Sequence, residues 1–543
     1  MYQDLEDWIL QDIANRLLKS GDLSGTADRE LWKLEQMGLH RQEIIKRLSQ
    51  LTGKSRNEIR RLLQDSAMTS FSNDSEVLEK VAQVVPLLQN NDVIQALNAE
   101  LTKTMGELGN LTRTTMMQSQ RDLLNMLNEV DFRVASGVQS YSSAVCEVLD
   151  RYAESGVMVN YPTGSRRSLE AAVRCCIVTS MNQTAAEVTN QYIIQHGVEY
   201  VVVSQHLGAR YNPKDPTGVS SHDWWQGKAY KIHGSEPGFP NLLESTGYDI
   251  DFDAKRGVCV NMLGLHGYNC RHSHGPWYKE LGESLPEIDR EESQKRYDLE
   301  QKQRAIERAV RKTKRQLLVK EQELNVFPDD ANIRGDYDRL AYRLRMQNRK
   351  YGEFCAENDL QKQYDRVKVA GFKKPQAAKA NGRATAYKNE QYASYEANLG
   401  KNMVSKSEFS KIMSDQSEKK LFTHYSDAVK RGDVSPLADY GMYRGTAMEL
   451  QDKCVGLVTS NGVKLEKRSL HCIDRVIGSV EQRRNGITVD DVVKTLTSPD
   501  AEVRPVRYSK TAASQKFIYR NAEVTINPVT KTLIQVNPHH REK

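Results

Sequence analysis

Apolar positions in the first 158 residues recur at helical spacing. Ile9, Ile13, Leu17 and Leu18 form one stripe, and Ile44, Leu48 and Leu51 form another. Ser55 followed by Glu58 predicts a capping box opening a helix over 57–64. The polar run FSNDSEV at 71–77 predicts a break between helices. The segment reads as an all-helical docking domain whose amphipathic faces need partners, within the chain or on another subunit. The pattern changes near Tyr161-Pro162-Thr163-Gly164. A helix is expected from Leu169 to about His196, then a β-like apolar run over 198–204. From there to Pro276 the chain is rich in Gly, Pro, His, Asn and aromatic residues, as in a small loop-rich module.

Residues 287–370 return to a helical pattern, strongly charged, with basic residues dominating the second half of the first helix. No apolar heptad is sustained, which argues against a long coiled coil. The charged face is either solvated or placed against DNA phosphates. Residues 371–436 are polar and read as a linker with short helices. Beyond 437 helices return, and strand signals follow. Lys516-Phe517-Ile518-Tyr519 is short and aromatic, and Glu523-Val524-Thr525-Ile526-Asn527 alternates. Pro528-Val529-Thr530-Lys531 makes a turn into Leu533-Ile534-Gln535-Val536. The expected class is therefore multidomain and mainly α. A small α+β module occupies 159–286, and a C-terminal α+β domain over 437–543 has helices followed by an antiparallel β-meander.

A chain of 543 residues is too long for one ordinary core. Its mean hydropathy of −0.65 suits several small cores with exposed helices. The net charge of +6 permits contact with nucleic acid without requiring it. The eight cysteines have no spacing that reads as a disulfide framework, which points to reduced folding. The acidic start MYQDLEDWILQD is unlike a signal peptide. No apolar run reaches the roughly 18 residues of a membrane span, so no membrane partner is expected.

Candidate chemistry concentrates in the centre. His206, His222, His266, His272 and His274 fall with Cys270 within about 70 residues, five of the 12 histidines of the chain. Trp224, Trp225 and Trp277 lie there too. Two readings stay open. Cys270 and His272 could join His222, with His206 or His266, around zinc, which accepts mixed Cys/His sets. Alternatively the rings pack and hydrogen-bond to fix loops without a metal, the reading that composition and the absence of a CxxC pair favour.

The same stretch carries linked motifs. His222-Asp223-Trp224-Trp225-Gln226-Gly227-Lys228 resembles an H-x-x-W-Q-G-K box, and Thr246-Gly247-Tyr248 a T-G-Y element. Gly264-Leu265-His266-Gly267-Tyr268-Asn269-Cys270-Arg271-His272 resembles a G-L-x-G-x-N-C-R-H box, with His206 in the matching segment upstream. Together they resemble phage minor capsid proteins of the second type, related to the Mu F head-morphogenesis family. The resemblance covers roughly residues 1–370, with an extra segment over 249–262 between the second and third boxes. It implies a few copies in the interior of the virion head near the portal, after assembly in the host cytoplasm. Portal protein, major capsid protein and phage DNA are the implied partners. It implies no cofactor and no reaction, and Arg271 could touch DNA or form a salt bridge.

His471 and Arg475 fall one turn apart on a helix, and Thr488 with Asp491 forms a capping-box-like start of the next. Helices followed by a meander resemble the barnase–EndoU–colicin–RelE group of small RNases. That likeness implies metal-independent cleavage, an RNA substrate and an immunity protein. His471 would act as base or acid, Arg475 and Lys516 would hold the phosphate, and Thr530 or Thr532 would supply a hydroxyl. A non-catalytic C-terminal domain is the competing expectation. A free-standing polymorphic toxin, with the long N-terminal part as its vehicle, is a third.

Overall fold

A computed structural model describes residues 2–19, 26–136, 138–161, 166–281, 286, 288–509 and 513–539. Residues 162–164, where the sequence pattern changes, lie outside them. The chain divides into two compact units, residues 1–384 and 385–543.

The first unit opens with α1 (Tyr2–Lys19), α2 (Thr26–Leu78), α3 (Asn91–Ala135) and α4 (Tyr141–Ser155). A short hairpin, β1 (Met158–Asn160) and β2 (Arg166–Ser168), leads into α5 (Leu169–Gln195). The stripe Ile9, Ile13, Leu17 and Leu18 shares one core with Leu127 of α3, Leu149 of α4 and Val173 of α5. Each such aliphatic side chain contributes about 1.5–3 kcal/mol on burial. The α5 helix starts at Leu169, as expected, with Ser168 as its N-cap accepting from the Ala171 amide.

Two expected boundaries are absent. The α2 helix runs unbroken through Ser55 and through 71–77. Its polar residues bond a neighbouring helix instead of ending their own. Ser66 donates to Met181 O at 3.0 Å, Ser70 to Ala185 O at 3.1 Å, and Thr189 of α5 donates to Asp74 at 2.5 Å.

The central module follows. It comprises β3 (Tyr200–Val203), α6 (His222–Trp225), β4 (Ala229–Lys231), α7 (Leu242–Thr246), β5 (Tyr248–Asp251), β6 (Arg256–Cys259) and β7 (His274–Trp277). Strands order β4-β3-β7, all antiparallel, and β5–β6 form a separate hairpin. That hairpin is the extra segment between the second and third boxes. Trp225, Tyr230, Tyr248, Leu265 and Cys270 share a core with Ala67 and Leu78 of α2 and Tyr192 of α5.

Next come α8 (Arg290–Val326) and α9 (Ala331–Glu357), capped by Asp289 and Asp330. Val310 and Leu317 pack with Leu340 and Leu344. The basic half of α8 is largely turned inward rather than solvated. Arg315 Nη1 meets Glu6 Oε1 at 2.7 Å, and Lys320 meets Asp150 and Glu323 at 2.8 Å each. Segments 1–158, 159–286 and 287–370, expected as separate domains, thus share one unit because their apolar and charged faces satisfy one another.

The division falls within α10 (Lys374–Leu399). The second unit continues with α11 (Lys406–Ile412), α12 (Gln416–Lys430) and α13 (Tyr440–Cys454). Residues 371–436, expected as a polar linker, are therefore mostly helical. Phe409, Phe422 and Tyr425 sit in one core with Tyr443, Ile473, Phe517 and Val536. Sparse but large aromatics supply the apolar area that composition hid.

Then follow β8 (Lys467–Arg468), α14 (His471–Ile477), β9 (Gly478–Ser479), β10 (Arg484–Asn485) and α15 (Val489–Thr497). The α14 helix stops at Gly478, whose φ is +90°. Thr488 caps α15 by accepting from the Asp491 amide. The chain closes with β11 (Glu502–Val503), β12 (Arg507–Tyr508), β13 (Ala513–Tyr519), β14 (Ala522–Asn527) and β15 (Thr532–Pro538). The main sheet orders β11-β13-β14-β15-β8, antiparallel except for β15–β8. The expected meander is β13–β15. The chain is mainly α, with small antiparallel sheets and a strand-rich C-terminal part. No helix among the described residues is long and apolar enough to cross a membrane, and the eight cysteines are unpaired.

Candidate functional site

The three motif boxes meet in space. Trp225 is buried, its Nε1 donating to Val219 O at 2.9 Å, and its own carbonyl accepts from Tyr230 at 2.6 Å. Gln226 Oε1 accepts from the His206 amide and from His272 Nε2, each at 3.0 Å, so it links the first box to the third. Gly227 has φ +70°, and a Cβ there would sit 2.3 Å from Gln205 Oε1. Lys228 donates to Trp224 O at 2.7 Å and lies over that indole ring. Thr246 is the hinge to the third box. Its hydroxyl closes the α7 turn on Leu242 O, and its carbonyl accepts from the Leu265 amide at 2.9 Å. Gly247 follows in the left-handed region, at φ +72°. Gly264 and Gly267 allow close approach, since a Cβ would meet Thr246 O at 2.0 Å and Met262 O at 2.2 Å. Asn269 donates through its amide nitrogen to Cys175 Sγ of α5 at 3.3 Å. Arg271 pairs with Glu300 of α8 at 3.0 Å.

The histidines separate into two groups. His266 Nδ1 meets Asn182 Oδ1 at 2.5 Å, its Nε2 meets His274 Nδ1 at 2.8 Å, and His274 Nε2 meets Asn190 Oδ1 at 3.0 Å. Asn190 also donates to the Tyr248 hydroxyl, which ties the T-G-Y element to the same chain. Both nitrogens of both rings are therefore engaged within the protein.

The second group is His206, His222, Cys270 and His272. Ligand atoms of His222, Cys270 and His272 all lie within 4.8 Å of one another, and all three residues are buried. Cys270 Sγ is 3.7 Å from His272 Nδ1, and the His206 ring stacks on His272 at 4.4 Å. Burial holds His222 down to about 3, with Arg210 second, and holds His272 well below the usual imidazole range. Burial likewise pushes the Cys270 thiol up.

A separate feature of the first unit is a cleft of about 430 Å³ whose lining includes Arg166, Arg174, Arg304, Arg308 and Arg366, with Glu154 and Glu307 among them. Burial, and next Arg366, hold the guanidiniums of Arg174 and Arg304 below their usual range. Sequence reading placed basic residues on α8 but missed their convergence with β2, α5 and Arg366.

In the second unit the candidate residues are not gathered. Arg475 Nε donates to His471 Nε2 at 3.0 Å, so these two do meet. Lys516 pairs with Glu523 at 2.8 Å, on the face of β13 opposite Phe517. Thr530 and Thr532 bond each other beside Lys467, at the far end of β15 from Asn537, to which Arg475 donates at 3.5 Å. What His471 does face is Asp474, fully buried, whose Oδ2 lies 3.5 Å from His471 Nδ1 and 3.0 Å from His424 Nε2. Tyr443 donates to the other oxygen at 2.7 Å. His424, in the segment expected as linker, and Asp474 were missed because nothing local marks them as partners.

The comparisons with known proteins decide the family. The family model described as "Phage minor capsid protein 2" matches residues 1–354. The chain belongs to the phage minor capsid protein 2 family. A relative described as "Structural protein", from Lactococcus phage LL-H, is 24% identical over 358 residues, covering 62% of this chain and 88% of its own. No solved structure matches the chain. This minor capsid family protein is thus a phage structural protein, and its family match takes in the whole box region.

Proposed function

We propose that this minor capsid protein is a low-copy component of the head interior, set near the portal, that contacts packaged DNA while the head is assembled and filled. Portal and major capsid proteins are its partners in this reading. Family membership supports the location, and the basic cleft is the observation that carries the DNA contact. The lining carries more arginines than its two carboxylates, Glu154 and Glu307, so the cleft favours an anion, and a duplex backbone supplies closely spaced phosphates. The test is binding of the full chain to duplex DNA over a range of salt. Affinity should fall steeply as salt rises, and Arg308→Glu should flatten the slope by roughly one released counterion. A salt-independent or undetectable interaction would remove the DNA part. Cross-links from the chain to portal protein in proheads test the location, and cross-links to tail proteins alone would refute it.

For the second unit, a ribonuclease reading rests on His471, not on Lys516, Thr530 or Thr532. His471 Nε2 accepts from Arg475 and its other nitrogen is backed by buried Asp474, so the ring can take a proton from a 2′-hydroxyl once Arg475 swings from Nε2 to a substrate phosphate. His424 on the same carboxylate is placed to serve as the partner acid, and an immunity protein would guard the host. Expression of the full chain should degrade cellular RNA, and His471→Ala should abolish this. Equal, harmless behaviour of both would leave the unit inert.

A further inference from the structure

We propose that His222, Cys270 and His272, with His206 as the fourth ligand, form a structural zinc site that ties the first and third motif boxes to the segment upstream of them. This goes beyond the head-protein reading and does not depend on it. The donor set is one thiol and three imidazoles with no carboxylate, which suits zinc rather than calcium or magnesium. In a tetrahedral zinc site the bond lengths place sulfur and nitrogen about 3.6 Å apart. Cys270 Sγ and His272 Nδ1 already stand at 3.7 Å.

The outer contacts are those a metal site needs. A ring nitrogen facing a carbonyl oxygen must donate, so the other nitrogen keeps its lone pair. His222 Nε2 faces Leu263 O at 2.8 Å, and His272 Nε2 faces Gln226 Oε1 at 3.0 Å. His206 Nδ1 faces Leu207 O at 3.0 Å. Every one of the three rings is thus oriented by an oxygen on one side and presents its other nitrogen to the site, that of His272 beside Cys270 Sγ. For His206 that nitrogen is Nε2, which is buried and has no hydrogen-bond partner. His266 and His274, by contrast, spend both nitrogens on each other and on asparagines, and so take no part.

The ligands come from the loop after β3, the start of α6 and the loop before β7. A metal there cross-links three segments with little regular structure of their own. With the His206 ring stacked on His272 and its Nε2 supplying the fourth donor, no position stays open, and the site stabilises without catalysing. On binding, the Cys270 sulfur gives up its proton to solvent and bonds the metal as thiolate.

The experiment uses the full chain without a histidine tag, dialysed against a weak chelator and assayed by metal mass spectrometry. About one zinc per chain is expected. Cys270→Ser and His272→Gln should fall to background, while Cys259→Ser should retain it. Cobalt-loaded protein should show a thiolate-to-metal band and strong tetrahedral bands, the first lost in Cys270→Ser, the second weakened in His206→Gln. A folded wild-type chain that takes up no zinc would overturn the proposal, as would full retention by Cys270→Ser. Should the variants fail to fold, the wild-type stoichiometry and cobalt spectrum still decide.

Discussion

Replacing Gly264 by alanine probes the contact between the second and third boxes. The added Cβ would stand 2.0 Å from Thr246 O and 2.7 Å from Val219 Cγ1. Carbon atoms do not approach an oxygen closer than 3.0 Å, so the two backbones must part by at least 1.0 Å. That movement breaks the 2.9 Å bond from the Leu265 amide to Thr246 O. Overpacking costs about 1–3 kcal/mol, and a buried bond left unmade costs about 1–3 kcal/mol. Alanine restricts the unfolded chain and returns about 0.4–1 kcal/mol. The net expectation is a loss of about 3 kcal/mol. All five tryptophans, Trp8, Trp32, Trp224, Trp225 and Trp277, lie in the first unit, so their emission during urea unfolding reports on that unit alone. The control is Gly335→Ala in α9, where a Cβ meets nothing within 4 Å and should gain roughly 0.5–1 kcal/mol. A Gly264→Ala loss below about 1 kcal/mol would refute the claim that the boxes are held in register by backbone contact.

Three further outcomes follow from the packing. Burial pushes the Asp74 carboxyl up to about 7 from its ordinary 3.8, so the folded state holds that proton more tightly than the unfolded one. Its stability contribution is therefore complete below the unfolded value and is lost as pH rises towards and past 7, amounting to roughly 4 kcal/mol at most. Urea midpoints at pH 5 and pH 8 should differ less in Asp74→Asn than in wild type. Glu6→Gln leaves the buried Arg315 guanidinium without its charge partner and should cost about 3–5 kcal/mol, whereas Glu6→Gln with Arg315→Met should recover most of it in the same assay. In the second unit, Asp474→Asn weakens the support of His424 and His471 and should lower any RNA cleavage by about 10²–10⁴-fold, the scale of general acid–base catalysis, with far-ultraviolet circular dichroism unchanged.

Local pattern was legible where burial follows one helix face or strict alternation. The α5 helix and the β13–β15 meander fall within three residues of where the sequence places them, because caps and turn residues mark their ends. It misled where polar side chains are satisfied across helices. Asp74, in the 71–77 run, looks like part of a helix break, yet its partner Thr189 lies on α5, 115 residues away. The segment 371–436 looked like linker because lysine and serine outnumber the few aromatics that form its core. In the box region the sequence grouped the histidines but did not show their division. Only geometry shows that His266 and His274 satisfy each other while His206, His222 and His272 gather around Cys270. The RNase-like residues fared worst, since spacing along a strand cannot tell which end of β15 faces α14.

The most direct test of the central claim is mass-spectrometric quantification of this chain in purified phage particles and proheads. The account predicts its presence in both, at a copy number far below that of the major capsid protein. Absence from both, with the protein found free in infected cells, would contradict it.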